Sequence, residues 1–255
     1  MTEMATRQAD TNRARERPYR STAVIVGLLF IVATAFLFVG EAFYGPILES
    51  REVLEVAYPD RVTAVVGVLL EFLCVLAILL IPVFLFPLLR RQNEALALGY
   101  VGFRFLEVVL FIAIEVNLLS LISVSEDYLA IGSDSSSYEA IAASIRSQND
   151  WIFFMYVITF AIGALVLYTL LYRSRLVPRW LSVWGLIGGG MMLVGTVLIM
   201  LEALEGVPGL ESELIWAGPI AVQEMVMALW LIIKGFNATA LRTMVPDTEG
   251  ARGRS

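Results

Sequence analysis

Five residues carry the chemistry this chain could perform inside an apolar layer: Glu71, Arg104, Glu107, Gln223 and Glu224. Arg104, Glu107, Phe111 and Glu115 follow i, i+3, i+7, i+11 spacing, which puts them on one face of a helix. They stand inside a run, 95–125, that is otherwise apolar enough to span a membrane. At 1.5 Å per residue Arg104 lies about 14 Å in from Ala95, near the middle of a ~30 Å hydrocarbon layer. Ionised groups cost at least ~2.5 kcal/mol each at such depth, so they must face protein or water and find partners. Glu71 is about 14 Å in from the start of its own run at Val62, and Glu224 about 15 Å in from Leu214. This depth reading places Glu71, Arg104, Glu107, Gln223 and Glu224 near one plane. With one arginine and three glutamates ionised, the set carries a net charge of −2, a state that low dielectric disfavours unless a proton or cation is held there. Two chemistries are open to it: binding or moving a proton, ion or small ligand, or clasping helices together as a buried polar network.

The elements that must position these residues are membrane helices. The chain has 255 residues, 58% of them hydrophobic, and a mean hydropathy of +0.78, well outside the soluble range. The reading is an all-α integral membrane protein, a bundle of six transmembrane helices over 22–236. The spans are expected at 23–44, 62–89, 95–125, 151–172, 180–201 and 214–236. Gly45 and Pro46 are expected to end the first, and Pro82 and Pro87 to kink the second. Residues 1–21 and 237–255 are polar, without apolar periodicity, and are expected to be disordered arms. The longest loop, 126–150, is expected to hold one short surface helix around 138–146. An acidic loop with Gly206, Pro208 and Gly209 precedes the last span. The first apolar run is too long for a signal peptide and no small-residue cleavage site follows it.

Charge sets the expected orientation. Of the 18 basic residues, 14 fall on the side of the two termini, three (Arg51, Arg61, Arg146) fall opposite, and Arg104 lies between. The positive-inside rule then makes both termini cytoplasmic, in a prokaryotic plasma membrane. Arg173, Arg175 and Arg179 gather at one inner turn, as a positive-inside anchor or as a site for lipid phosphate or another cytoplasmic anion. The partner implied is the lipid bilayer; the scattered acidic loops point to no nucleic acid.

Composition also excludes chemistry. There is no histidine, which removes His-ligated haem, His-containing zinc and di-iron sites, and Ser-His or Cys-His pairs. Cys74 is the only cysteine and cannot form an internal disulfide. No cofactor or metal-ligand motif is read, so an intramembrane enzyme using paired carboxylates ranks last. Gly185 and Gly189 have GxxxG spacing in an apolar run, which reads as close helix approach. Lys234 sits at the inner rim, where snorkelling explains it. Glu41, Glu115, Asn117 and Glu202 read as solvated or capping groups near the outer interface.

Three segments, NEALALGYVGFRFLEVVL, LLYRSRLVPRWLSVWGLIGG and PIAVQEMVMALWLIIKGF, resemble the signatures of domain-of-unknown-function family 4386, multi-pass membrane proteins of bacteria and archaea. The resemblance runs from about Thr22 to Phe236. Arg104, Glu107, Arg173, Arg175, Pro178, Trp180, Trp184, Glu224, Trp230 and Lys234 occupy matching places. It implies the membrane fold and no particular chemistry.

Overall fold

The computed structural model describes residues 2–48, 50–131, 135–201 and 213–244. Eight helices are found among them: α1 (Thr2–Leu48), α2 (Val53–Val56), α3 (Arg61–Leu89), α4 (Glu94–Ile131), α5 (Ser135–Ser174), α6 (Arg179–Met200), α7 (Glu213–Ile233) and α8 (Ala238–Met244). All but α2 and α8 contain a stretch long and apolar enough to cross a membrane, so the chain is a multi-pass membrane protein with six candidate spans. Large apolar side chains such as Phe38, Phe105, Ile187 and Ile233 point outward from the bundle. In water they would be a liability, but lipid is their natural solvent.

The spans close into a ring. Each packs on the next in the order α1, α3, α4, α5, α6, α7, and α7 returns to α1. Small residues bring the backbones close. Gly40 of α1 faces Gly67 of α3, where a Cβ on either would meet the other's carbonyl oxygen at 2.8 Å. Gly185 lies under the Tyr168 ring and Gly188 against the backbone of Ile220, so the glycine run of α6 serves helix approach to both of its neighbours.

Hydropathy marked the lipid layer, and the helices run beyond it. Gly45 and Pro46 do not stop α1, which continues to Leu48. At its other end α1 reaches back to Thr2, through residues that the composition reading expected to lack regular structure. The Ala, Arg, Gln and Glu of that stretch are good helix formers, and a preformed span below spares them the cost of nucleation. The long 126–150 loop is likewise mostly helix. α4 continues to Ile131 and α5 starts at Ser135, and α5 alone is 40 residues, about 60 Å long. These extensions are held by a small core of their own, in which Leu121, Ile122 and Ala142 pack with Ile47, Leu54 and Ala64. Ser125 pins the α2 segment to α4: its Oγ donates to the Leu54 carbonyl at 2.6 Å and accepts the Tyr58 N–H at 2.9 Å.

The opposite end is closed by the two termini. Arg20 donates to the carbonyls of Leu231 (3.1 Å), Ile232 (2.6 Å) and Ile233 (3.3 Å), the last turn of α7. A guanidinium there supplies donors to the last carbonyls of the helix, of which Leu231 also accepts the Gly235 N–H at 3.1 Å, and complements the negative end of the helix dipole. Gly235, at φ +74°, ends α7 against the same arginine. The chain then forms α8 where a disordered tail was expected. Ala240 and Leu241 are buried in the main core with Leu176, Val177 and Phe236, and the Asn237 N–H donates to the Leu176 carbonyl at 2.9 Å. The acidic 202–212 loop and residues 245–255 lie outside the described residues.

Candidate functional site

Arg104 and Glu107 are 2% and 1% exposed, one turn apart on the inward face of α4. The helix fixes their pairing: Arg104 Nη1 donates to Glu107 Oε1 at 3.0 Å and Oε2 at 3.1 Å. Glu224 comes from α7, which is opposite α4 in the ring, and its Oε1 stands 3.6 Å from Arg104 Nη2. This is an ion pair without a hydrogen bond. The guanidinium is also flanked by the Phe160 ring at 5.1 Å and the Tyr100 ring at 5.7 Å, both within cation–π range. Arg104 Nε and Nη2 and Glu224 Oε1 have no hydrogen-bond partner among the described residues. The arginine therefore spends one nitrogen on its own helix and leaves donors aimed at the middle of the bundle. The free guanidinium donors can take a water or a polar ligand group beside the Arg104–Glu224 contact, and the set carries one carboxylate more than it has cations.

Glu71 is fully buried but belongs to a different group. Its Oε1 accepts from the Tyr44 hydroxyl at 2.8 Å, and its carboxyl meets that of Glu115. Gly40 makes room for it, because a Cβ at that position would overlap the Glu71 side chain. Glu115, expected at the outer interface, is instead 6% exposed and faces the interior. The physical reason is the length of α4. Over 38 residues it is about 57 Å long, far more than the lipid layer, so depths counted from its two ends do not refer to one plane. Arg104 and Glu115 are eleven residues, about 16 Å, apart along the same face. The polar groups thus form two tiers. Cys74 is buried on α3, three residues along from Glu71.

Gln223 is also fully buried, but it does not join Arg104. Its Nε2 donates to the Leu181 carbonyl of α6 at 3.0 Å. Arg173, Arg175 and Arg179 are exposed together at the α5–α6 turn. Arg175 takes a left-handed conformation (φ 56°) that ends α5, and Arg179 lies over the Tyr172 ring at 5.1 Å. Leu176 and Val177 of this turn are buried and Pro178 precedes α6, so the motif anchors the turn while its arginines face outward. A groove of about 540 Å³ between α4 and α5 is lined by Ser147, Gln148 and Trp151 among others, and none of the candidate site residues lines it.

Charge and depth pointed to Arg104, Glu107 and Glu224, which cluster, and to Glu71, which is buried apart from them. They missed Tyr44, Tyr100 and Phe160, whose neutral side chains stand out only by their neighbours. Glu115 was within reach of the same arithmetic, ten residues or about 15 Å in from Ser125.

Neither a curated protein nor a solved structure matches the chain. A family model does match it, across residues 25–235 and hence through all six spans, and by that match the chain belongs to the family described as Domain of unknown function (DUF4386).

Proposed function

We propose that this protein is an ion- or small-molecule-handling membrane protein, transporter-like or ligand-sensing, with Glu71, Arg104, Glu107, Gln223 and Glu224 as its working residues. The observation that carries this reading is the half-made contact between Arg104 and Glu224. Buried Arg104 and the partly buried Glu224, from opposite sides of the ring, stand 3.6 Å apart, and neither Arg104 Nη2 nor Glu224 Oε1 has a hydrogen-bond partner among the described residues. Buried polar atoms in natural proteins are nearly always satisfied, and those that are not mark sites for a ligand, an ion or water. A bridge between opposite walls of a helical ring can open or close with the contents of the ring's centre. Gln223, one residue from Glu224, ties that stretch of α7 to α6 and would carry such a change outward. The positive-inside count supports cytoplasmic termini in a prokaryotic plasma membrane. It also supports Arg173, Arg175 and Arg179 as a contact for lipid phosphate or another cytoplasmic anion.

The test replaces Glu107 or Glu224 with Gln in protein reconstituted into liposomes. Proton flux and ligand binding should change while insertion and folding persist. If both variants match wild type in both assays, the reading is wrong.

One observation favours a second reading, a clasp with no ligand. Both Glu107 carboxylate oxygens accept from Arg104 within one helix, and the guanidinium is flanked by two aromatic rings, as in a purely structural pair. In that case Glu224→Gln lowers only the thermal stability of the bundle.

A further inference from the structure

The outer tier holds buried polar groups that the arginine pair does not serve. Glu71 from α3 and Glu115 from α4 meet carboxyl to carboxyl, 0% and 6% exposed. Tyr44 from α1 uses one Glu71 oxygen. The other Glu71 oxygen and both Glu115 oxygens have no hydrogen-bond donor among the described residues. The groups facing Glu71 are Glu41 and Tyr44 on α1 and Glu115 on α4, with Cys74 one turn along α3. Arg104 is hydrogen-bonded to Glu107 in the other tier.

We propose that Tyr44, Glu71 and Glu115 form a proton-binding site in which the two carboxyls share a single proton across the α3–α4 interface. The argument is donor accounting. An ionised carboxylate only accepts hydrogen bonds, so two of them in contact have no hydrogen between them and repel in an apolar layer. One proton on the pair supplies the missing donor and removes one of the two charges. Tyr44 has a single hydroxyl hydrogen, already given to Glu71, and cannot supply a second. A hard metal ion fits less well. Magnesium takes six ligands in near-octahedral geometry and calcium six to eight oxygens, whereas the two carboxyls here leave three oxygens free. No cluster of three or more metal-ligating acidic or cysteine side chains is present among the described residues. The overlap a Cβ at Gly40 would make with Glu71 shows how closely α1 seals this side. The proposal deepens the ion-handling reading by naming the ion, while its geometry is separate from the Arg104–Glu224 contact.

Infrared difference spectroscopy of the full chain in lipid tests it, through the C=O stretch of a protonated carboxylic acid, which shifts on transfer to D2O. Wild type should show such a band. Either single variant, Glu71→Gln or Glu115→Gln, should shift it, and the double variant should lose it. Tyr44→Phe removes one hydroxyl without touching a carboxyl and should shift the band, which keeps the test open if the double variant does not fold. A band unchanged in the double variant or in Tyr44→Phe, or no band in wild type, overturns the site. A band that behaves as expected in a protein with neither proton flux nor ligand binding keeps this site and removes the ion-handling reading. Flux or binding in a protein with no such band does the reverse.

Discussion

Replacing Arg104 with Met separates the energetics of the Arg104–Glu107–Glu224 tier from its geometry. Met fills most of the same volume and is at home among Tyr100 and Phe160. What disappears is the guanidinium, and with it both Nη1 contacts to Glu107 and the 3.6 Å ion pair with Glu224. Glu107, 1% exposed, is then a buried carboxylate without a partner. Removing one member of a buried pair costs about 3–5 kcal/mol, because the survivor keeps its desolvation penalty and loses its compensation. Removing both members is far milder. Arg104→Met combined with Glu107→Met should return to within about 1–2 kcal/mol of wild type, since an apolar pair in the same space has no charge to compensate. Glu224→Gln should cost about 1 kcal/mol or less: its contact is too long for a hydrogen bond, its side chain is 13% exposed, and the amide keeps the shape of the side chain. The predicted order of thermal stability in detergent, followed by loss of the monodisperse peak on heating, is wild type, then Glu224→Gln and the double variant close together, then Arg104→Met well below. A double variant as unstable as Arg104→Met would refute the reasoning, because the penalty would then not come from an orphaned Glu107. A Glu224→Gln variant as unstable as Arg104→Met would refute it too, by moving the main interaction from within α4 to across the ring.

Three further outcomes follow from the packing. Gly40→Ala should destabilise by about 1–3 kcal/mol and displace Glu71, whereas Gly190→Ala, whose Cβ meets nothing within 4 Å, should be neutral or gain up to about 1 kcal/mol; comparing their melting temperatures checks this. Arg20→Ala should weaken the end of α7 by about 0.3–1 kcal/mol, seen as faster amide exchange at residues 231–236 with little effect on the centre of α4; equal exchange in both proteins would show that the cap contributes nothing. With Cys74 first replaced by Ser, a cysteine at position 147 should react with an impermeant maleimide in intact cells and one at position 173 only after lysis, and the reverse pattern would invert the proposed topology.

The number of spans was legible because a lipid layer imposes its own length on an apolar run, and that signal needs no tertiary information. The ends of the helices were not, because hydropathy records where lipid stops and the backbone has no reason to stop there. Glu126 to Ile131 and Ser135 to Asp150 are polar enough to read as loop, yet they continue the helices of the spans beside them and pack Tyr128, Tyr138 and Ala142 into the small core around α2 and its flanks. The α8 turn was missed for a related reason. Seven residues show too little periodicity to count, and only contact with Leu176 and Val177 makes them a helix. The pairing of Arg104 with Glu107 was legible from i, i+3 spacing, because a helix fixes both depth and direction for residues one turn apart.

The separation of Glu71 from Arg104 was not legible, and the reason bears on how buried charges in helical membrane proteins can be read. Sequence gives each residue one coordinate, its distance along its own helix. Whether two residues on different helices meet also depends on the order of the helices around the ring, the tilt of each, and how far each projects beyond the lipid. For Arg104 and Glu224 the errors cancelled: α7 is only 21 residues, so its tenth residue from Leu214 is near mid-layer from either end. For Glu71 they did not. α3 packs on α1, whose Gly40 and Tyr44 offer a tight surface and a hydroxyl close to Glu71, and the next polar group around the ring is Glu115 rather than Arg104. Two tiers, one with an arginine and one without, is therefore a different molecule from one mixed cluster. A mixed cluster would let Arg104 neutralise Glu71. Here Glu71 Oε2 and both Glu115 oxygens have no hydrogen-bond donor among the described residues, and Arg104, in the other tier, is left with donors to spare.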